Sequence, residues 1–184
     1  MATGDVIAFL DADDLWSGNK LKIQTGLLEQ KPEVDIVLGL LQRMQLIDAQ
    51  EGSPRFKEWS EPVMNMHLGS ALFRKSVFDK VGYLDESLDY CEDWDWFMRA
   101  KEMNIPMMLH QEVIYFYRRH DQNITNNTET GFDFALKMLR LSLNRRRQQG
   151  NGTAAKLPRL SDYMPDSKQK HDRKPGGDTT GSND

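Results

Sequence analysis

GDVIAFLDADDLW, residues 4–16, is the stretch of this chain that decides its fold. The apolar run at residues 6–10 predicts a buried strand, and it stops abruptly at an acidic turn that contains Asp11, Asp13 and Asp14. In α/β sheets, ligands sit at the carboxyl ends of strands. The acidic turn is therefore the first candidate for a functional site.

The segments that follow alternate between strand and helix patterns, which favours an α/β fold. A helix is expected to begin near Ser17 as its N-cap and to end at Pro32, with an apolar side formed by Leu21, Gln24, Leu27 and Leu28. Further strands are predicted over residues 35–46, 68–73, 107–109 and 113–117. Helical segments are predicted over residues 76–81, with Gly82 as the C-cap, over residues 92–101, and over residues 131–147.

Two segments have too few core-forming residues to predict regular structure. Residues 48–62 are polar, contain Gly52, Pro54 and Pro62, and are predicted to form a loop. Residues 148–184 are rich in Gly, Pro, Ser, Asp and Lys and are predicted to be disordered. The predicted organisation is one domain over residues 1–147 followed by a basic tail over residues 148–184.

Composition excludes several classes of function. The chain has 184 residues, a net charge of -4 and one Cys, so an intramolecular disulfide framework and a Cys-based zinc site are excluded. Residues 1–144 carry the excess of acidic side chains and the tail is basic, which argues against nucleic acid as the main partner. No run of 18 apolar residues exists, and the first residues do not form a signal peptide, so a cytoplasmic location is expected.

The acidic turn allows several interpretations from its residues alone. Asp11 and Asp13 are suitable oxygen ligands for Mg²⁺ or Mn²⁺ shared with a diphosphate, but a solvated, helix-capping turn has the same pattern. An EF-hand loop counted from Asp11 fails, because Trp16 stands where Gly is needed and Lys22 where Glu is needed. A haloacid dehalogenase-like phosphatase with Asp11 as nucleophile stays open, although Leu15 departs from its usual pattern.

Four segments follow one another along the chain: residues 4–16 with Lys20-Leu21, residues 69–86 beginning Gly69-Ser70-Ala71, Glu92-Asp93-Trp94-Asp95, and Tyr117-Arg118-Arg119-His120 with Asn123. In this order they resemble the motifs of glycosyltransferase family 2. The resemblance implies a partial GT-A-type, Rossmann-like mixed sheet with flanking helices. It also implies a metal-dependent transfer of a sugar, with inversion, from a nucleotide-diphosphate sugar to an acceptor hydroxyl.

Positions in the motifs imply roles for the acidic residues. Asp13 is expected to bind the metal, and Asp11 to lie beside it or beside the nucleotide ribose. Asp93 is expected to be the general base, oriented by Glu92, with a pKa raised by burial and by that neighbouring carboxylate.

The other site expectations concern phosphate and acceptor. His120 is expected to reach the diphosphate or the metal through a ring nitrogen, and Arg118 and Arg119 are expected to pair with phosphate. The positions expected to contact the acceptor are Gly69, Ser70, Trp94, Asp95 and Trp96. Both tryptophans fit equally well in the core, and Cys91 is expected to be a small packed residue.

Members of the family usually carry a nucleotide-binding half before the acidic segment, and only ten residues precede Asp11 here. We therefore expect the strand at residues 6–10 to be an exposed edge through which the chain self-associates or binds a partner chain. A non-catalytic module that binds acceptor or assists assembly is the alternative function. The end of the predicted helix, Arg145-Arg146-Arg147, allows peripheral contact with an anionic membrane, where a lipid-linked acceptor for cell-envelope polysaccharide resides.

Overall fold

The computed structural model of this chain describes residues 2–48, 55–88, 91–121, 123, 128–148 and 163, with the backbone alone for residues 128–135. The strands are β1 (Val6–Ile7), β2 (Leu15–Trp16), β3 (Ile36–Asp48), β4 (Arg55–Glu58), β5 (Val63–Met64), β6 (Ala71–Arg74) and β7 (Met107–Arg119). The helices are α1 (Lys20–Gln30), α2 (Ser76–Val81), α3 (Glu92–Glu102) and α4 (Thr128–Gln148).

The strands form one seven-stranded mixed sheet in the order β1-β6-β3-β7-β2, with β4 and β5 paired to β3. The long central strands β3 and β7 run parallel, and Ile36 is paired with Met107 at the start of their register. All other pairings in the described sheet are antiparallel. The predicted α/β class with a mixed sheet and flanking helices is confirmed.

Both faces of the central sheet are buried, which explains why its strands are continuously apolar. Ile36 and Leu38 belong to a core cluster that also contains residues of α2 and α3, such as Phe78 and Trp96. Val37, which points the other way, packs with Leu28 of α1 in a second cluster. The sheet is therefore the middle layer between helices on its two sides.

The first strand differs from its prediction. Only Val6–Ile7 is extended and paired, and it runs antiparallel to β6 at one edge of the described sheet. Val6 is 38% exposed and Leu10 is 47% exposed, so the apolar run is not a buried parallel strand. Apolar composition predicted burial, but a strand with one short neighbour buries only part of its side chains. The self-association expected from this edge stays a prediction.

Several other boundaries also changed. The predicted loop at residues 48–62 contains β4, and the predicted strand at residues 68–73 begins as a 3-10 turn before β6. The two short strands expected at residues 107–109 and 113–117 are one strand, β7, whose register shifts opposite Leu40. Helix α1 has Asn19 rather than Ser17 as its N-cap, and Ser17 donates its hydroxyl hydrogen bond to Asn19.

The predicted apolar side of α1 is partly wrong. Leu21 is exposed, whereas Lys20 is fully buried beside Gln24, which was expected on that side and is buried. Lys20 takes an inward position because it donates hydrogen bonds to the Ala71 carbonyl and the Gln24 side chain, partners that hydropathy alone does not reveal. No helix among the described residues is both long and apolar enough to cross a membrane.

The prediction of disorder for residues 148–184 lies outside the described residues, apart from Gln148 at the end of α4 and Tyr163. Tyr163 packs against the larger core cluster. Helix α2 and its C-cap, Gly82 with φ of 86°, are confirmed, as is the helix predicted at residues 92–101.

A buried ionic group joins α4 to α3. Arg145 Nη1 lies 2.7 Å from Asp95 Oδ1, and Arg145 Nε lies 3.0 Å from Glu102 Oε2. Both carboxylate side chains are only 3% exposed. Arg99 also binds Asp95, at 2.8 Å. Arg145 is thus an internal partner of α3 rather than part of a basic surface.

We expect Arg145→Met to lower the free energy of unfolding by about 3 kcal/mol, because it leaves Glu102 buried without its cation. The exposed neighbour Arg147 supplies the matched control, and Arg147→Met should change stability by less than about 0.5 kcal/mol. Urea unfolding of both variants measures the difference. Equal stabilities would show that the buried group contributes nothing.

Candidate functional site

The acidic turn is fixed to the central sheet through Tyr115 of β7. The Tyr115 hydroxyl donates toward Asp11 Oδ2, at 3.0 Å, and also hydrogen-bonds Asp14 Oδ2. The Arg118 main-chain N–H donates to the other Asp14 oxygen at 2.7 Å. Since β2 pairs with β7 directly after the turn, with Trp16 opposite Tyr115, the backbone brings these groups together.

Asp14 is the residue that holds the turn, and the sequence analysis did not single it out. It is 3% exposed, and burial raises its pKa, while hydrogen bonds from Tyr115 and Arg118 oppose the rise. Burial and the same carboxylate raise the pKa of Tyr115 far above its usual range, so the phenol stays a donor. Asp14 therefore organises the turn from inside the protein.

Asp13 points to a different set of partners at the end of β7. Its Oδ2 lies 3.2 Å from His120 Nε2, and its side chain remains 46% exposed. The Arg118 guanidinium donates to the Asp13 main-chain oxygen, and the His120 N–H donates to the Asn123 side chain. The two predicted motifs, DADD and YRRH, thus meet at one place.

The two arginines of the YRRH segment differ from the expectation that they are free for phosphate. Arg118 hydrogen-bonds the acidic turn, and its guanidinium lies 5.2 Å from the Phe56 ring centroid. Arg119 lies over the Trp59 ring at 4.7 Å. Both side chains are held against aromatic rings of the neighbouring β4 region, which fixes the direction in which their charge is presented.

Asp93 begins helix α3 on the other side of the sheet from α1. Its pKa is raised to about 7, mainly by burial and also by the charges of Glu92 and Asp11, while a hydrogen bond from the Trp94 N–H opposes the rise. The expected rise through burial and Glu92 is therefore found. The charge of Asp11 contributes to the same shift, so Asp93 lies within electrostatic range of the acidic turn.

Backbone strain precedes this carboxylate pair. Cys91, the N-cap of α3, has a φ of 59°, in the left-handed region that non-glycine residues seldom adopt. Its carbonyl accepts the Asp95 N–H at 3.0 Å, which starts the helix. The left-handed residue turns the chain so that Glu92 and Asp93 stand in the first turn of α3.

The expected acceptor-binding residues divide into exposed and buried groups. Trp94 is 45% exposed and is available to a ligand, whereas Trp96 is fully buried and donates its indole N–H to Gly82 O at 2.8 Å. Asp95 is 2% exposed and is occupied by Arg99 and Arg145. This placement argues against direct acceptor contact by Asp95 or Trp96, because neither reaches the surface.

Gly69 and Ser70 lie beneath the site rather than on its surface. Both are buried, and a Cβ on Gly69 would lie 2.3 Å from the Tyr115 ring. The His67 ring also packs against the Tyr115 ring, with the ring centroids 4.8 Å apart. Burial lowers the pKa of His67, and the charge of Asp11 opposes that shift. These residues support Tyr115, so their part is structural.

A metal ion fits this arrangement only together with a ligand. Within the described residues there is no group of three or more His, Cys, Asp and Glu side chains able to hold a metal by themselves. Asp13 and His120 do supply an exposed carboxylate oxygen and an imidazole nitrogen 3.2 Å apart. Mg²⁺ and Mn²⁺ commonly use few protein ligands and complete their shell with water and substrate phosphates. The donor set present fits that mode.

Sequence reasoning missed Asp14, Tyr115 and His67 as site residues. The signal for Asp14 was present in the third carboxylate of the turn, which immediately precedes an apolar Leu-Trp pair. Tyr115 lay in a predicted strand, but nothing in the sequence tells which strand neighbours the turn. That knowledge requires the sheet order.

Comparison with known proteins finds similarity over part of this chain. No protein-family model matches the chain. An uncharacterized glycosyltransferase of Rickettsia typhi is 28% identical over 138 residues, covering 67% of this chain and 42% of that protein. The chain thus spans less than half the length of this curated relative. Two crystal structures of S. aureus TarS, one of residues 1–349 in complex with UDP, are also similar.

The TarS complex has a TM-score of 0.47 and 21% identity, covering 64% of this chain and 37% of the TarS chain. The second TarS structure has a TM-score of 0.46 and 19% identity, covering 64% and 22% respectively. At these scores the structural likeness carries no argument about function. On the sequence relationship, the chain is glycosyltransferase-like.

The close approach at Gly69 gives a stability prediction with an internal control. Gly69→Ala should lower the free energy of unfolding by about 2 kcal/mol, because the new methyl group overpacks the Tyr115 ring. Gly26→Ala, inside α1 with nothing within 4 Å of its Cβ position, should raise stability by about 0.5–1 kcal/mol. Thermal and urea unfolding compare the two variants, and a neutral Gly69→Ala would contradict the packing.

The raised pKa of Asp93 gives a pH prediction. Between pH 4 and pH 7 the folded chain keeps a proton that the unfolded chain has lost, so this group reduces stability as pH rises. Asp93→Asn should therefore gain more than about 1 kcal/mol over wild type at pH 8 and little at pH 4.5. Urea unfolding across pH measures this, with the exposed Asp79→Asn as control. A difference in stability between Asp93→Asn and wild type that stays the same at every pH would show that the pKa of Asp93 is not raised.

Proposed function

We propose that this chain is part of a family 2 inverting glycosyltransferase, which transfers a sugar from a nucleotide-diphosphate sugar to an acceptor hydroxyl with Mg²⁺ or Mn²⁺. The observation that carries the proposal is an electrostatic link between two motifs: the charge of Asp11 in the acidic turn is among the causes that raise the pKa of the partly buried Asp93, at the start of α3, to about 7. The two motifs are far apart in sequence.

Asp93 is the proposed general base. A carboxylate accepts a proton from an alcohol most effectively when its pKa approaches the working pH, and that of Asp93 is raised to about 7. Glu92 contributes to that shift through its charge, and it orients the base or the acceptor. Inversion follows from one displacement in which the base and the leaving diphosphate lie on opposite sides of the sugar carbon.

Asp13 and His120 are the proposed metal and diphosphate ligands. A bound divalent cation would supply charge stabilisation for the departing diphosphate. The Asp13 carboxylate is exposed and available to bind the cation. Asp11 belongs to the same turn, and one of its oxygens already accepts a hydrogen bond from Tyr115. Arg118 acts mainly by holding the Asp13 backbone, so its contribution to phosphate binding is indirect.

The acceptor side of the site is proposed to include Trp94, whose exposed indole offers an apolar face to a sugar ring. The acceptor is a saccharide or a lipid-linked saccharide, and the enzyme works in the cytoplasm or at the inner face of a membrane. Self-association, or binding of a partner chain, through the exposed edge of β1 is also part of the proposal.

Release of nucleoside diphosphate from a panel of nucleotide sugars tests the proposal. With Mn²⁺ and this chain, we expect hydrolysis that falls at least about 100-fold in Asp13→Asn and in Asp93→Asn. Asp79→Asn, an exposed change on α2, should retain full activity. EDTA should remove the activity, and Mn²⁺ should restore it.

Three outcomes decide between the candidates. Mn²⁺-dependent turnover lost in both site variants supports the transferase. Mn²⁺ binding without turnover of any donor, alone or with acceptor saccharides, favours the non-catalytic module. Hydrolysis of p-nitrophenyl phosphate that is lost in Asp11→Asn but kept in Asp93→Asn favours the phosphatase and rejects the proposal.

A further inference from the structure

Three consecutive main-chain carbonyls beneath the site accept hydrogen bonds from three side chains of one short segment. Trp16 Nε1 donates to Gly69 O at 3.2 Å. Gln24 Nε2 donates to Ser70 O at 3.0 Å, and Lys20 Nζ donates to Ala71 O at 2.9 Å. The donors are spaced four residues apart along the chain, so successive turns of α1 and its approach present them on one side.

The three donors also contact one another, which makes them a single unit. Lys20 Nζ donates to Gln24 Oε1 at 2.5 Å and lies 5.2 Å from the centroid of the Trp16 ring. Lys20 and Gln24 are fully buried. We call Trp16, Lys20 and Gln24 the donor ladder.

Burying a lysine without a carboxylate partner is costly, and burial lowers the pKa of Lys20 to about 7. An apolar residue at this position would fill the same space without that cost. The Lys20 ammonium instead donates hydrogen bonds to the Ala71 carbonyl oxygen and to the Gln24 amide oxygen. A polar group kept at such a cost points to a need for its directional bonds.

The segment held by the donor ladder touches the group that organises the acidic turn. Gly69 lies so close to the Tyr115 ring that no Cβ fits between them. The backbone of Trp16 is paired with that of Tyr115 across β2 and β7. Tyr115 in turn donates to Asp11 and Asp14. A continuous set of contacts therefore joins the donor ladder to the carboxylates.

We propose that Trp16, Lys20 and Gln24 are positioning residues, which fix the Gly69–Ser70–Ala71 backbone against Tyr115 and thereby set the direction of the Asp11 and Asp14 carboxylates. Their effect on catalysis rests on the proposed transferase function. Their effect on Tyr115 does not depend on that function. The two parts are tested separately.

The first test reads Tyr115 directly by NMR of protein carrying ¹³C-labelled tyrosine rings. Trp16→Phe keeps an aromatic ring but removes the donor to Gly69 O, and Lys20→Met keeps the chain length but removes the ammonium. Both should shift the Tyr115 ring signals and leave those of Tyr83, which is 78% exposed, unchanged. Lys22→Met, the same substitution on the exposed side of α1, is the matched control and should shift neither.

Unchanged Tyr115 signals in folded Trp16→Phe and Lys20→Met would overturn the proposal, whether or not the chain turns over any donor. Circular dichroism establishes folding. If Lys20→Met does not fold, the milder Trp16→Phe decides by itself. A fall in melting temperature with no Tyr115 shift means a structural role only, and it also rejects positioning.

The second test applies where wild type hydrolyses nucleotide sugars with Mn²⁺. Trp16→Phe and Lys20→Met should lower kcat by roughly tenfold to a hundredfold, with a much smaller change in KM, because misplacing a reacting group slows the chemical step. Lys22→Met should match wild type. Shifted Tyr115 signals with no wild-type turnover would reject the transferase and keep the positioning role, whereas unchanged kcat in shifted variants would restrict the role to local structure.

Discussion

The hydroxyl of Tyr115 is the contact on which the arrangement of the site depends. It hydrogen-bonds the two outer carboxylates of the acidic turn, Asp11 and Asp14, from β7, which pairs in parallel with β3 at the centre of the described sheet. Without this donor, two like charges would be left close together next to the core, where like-charge repulsion is strong. Asp13, between them in sequence, is thereby left to point outward.

Much of the fold follows from the sequence because the central strands and α3 obey simple patterns. Residues such as Ile36, Val37 and Leu38 are apolar without alternation, and they are buried on both faces as that pattern predicts. The edge strand β1 was harder to predict from the sequence. Val6 and Leu10 have the same composition but lie where only one neighbouring strand is present, so composition predicted more burial than the topology provides.

The carboxylates of the candidate site were predictable from the sequence, and the buried polar contacts beneath them were not. The carboxylates Asp13 and Asp93 stand at positions that motif spacing indicates, and the raised pKa of Asp93 follows from burial beside Glu92. The interior includes Lys20, which hydropathy assigns to the surface, beside Gln24, which the helical spacing of α1 places inward. Their burial depends on carbonyls of a distant segment, and no local pattern along α1 reveals that these acceptors exist.

The parallel pairing of β3 with β7 has a consequence for how the chain folds. Ile36 must pair with Met107. Strand β6, which lies between these two residues in sequence, must also pair with β3 in the antiparallel direction. Closing so long a loop is entropically unfavourable before any contact compensates for it, so chains of high contact order cross their folding barrier slowly. During that interval the apolar face of β3 is exposed. An uncovered apolar strand of this kind makes a folding intermediate prone to aggregation, so the order in which β6 and β7 cover β3 determines how long the chain stays at risk.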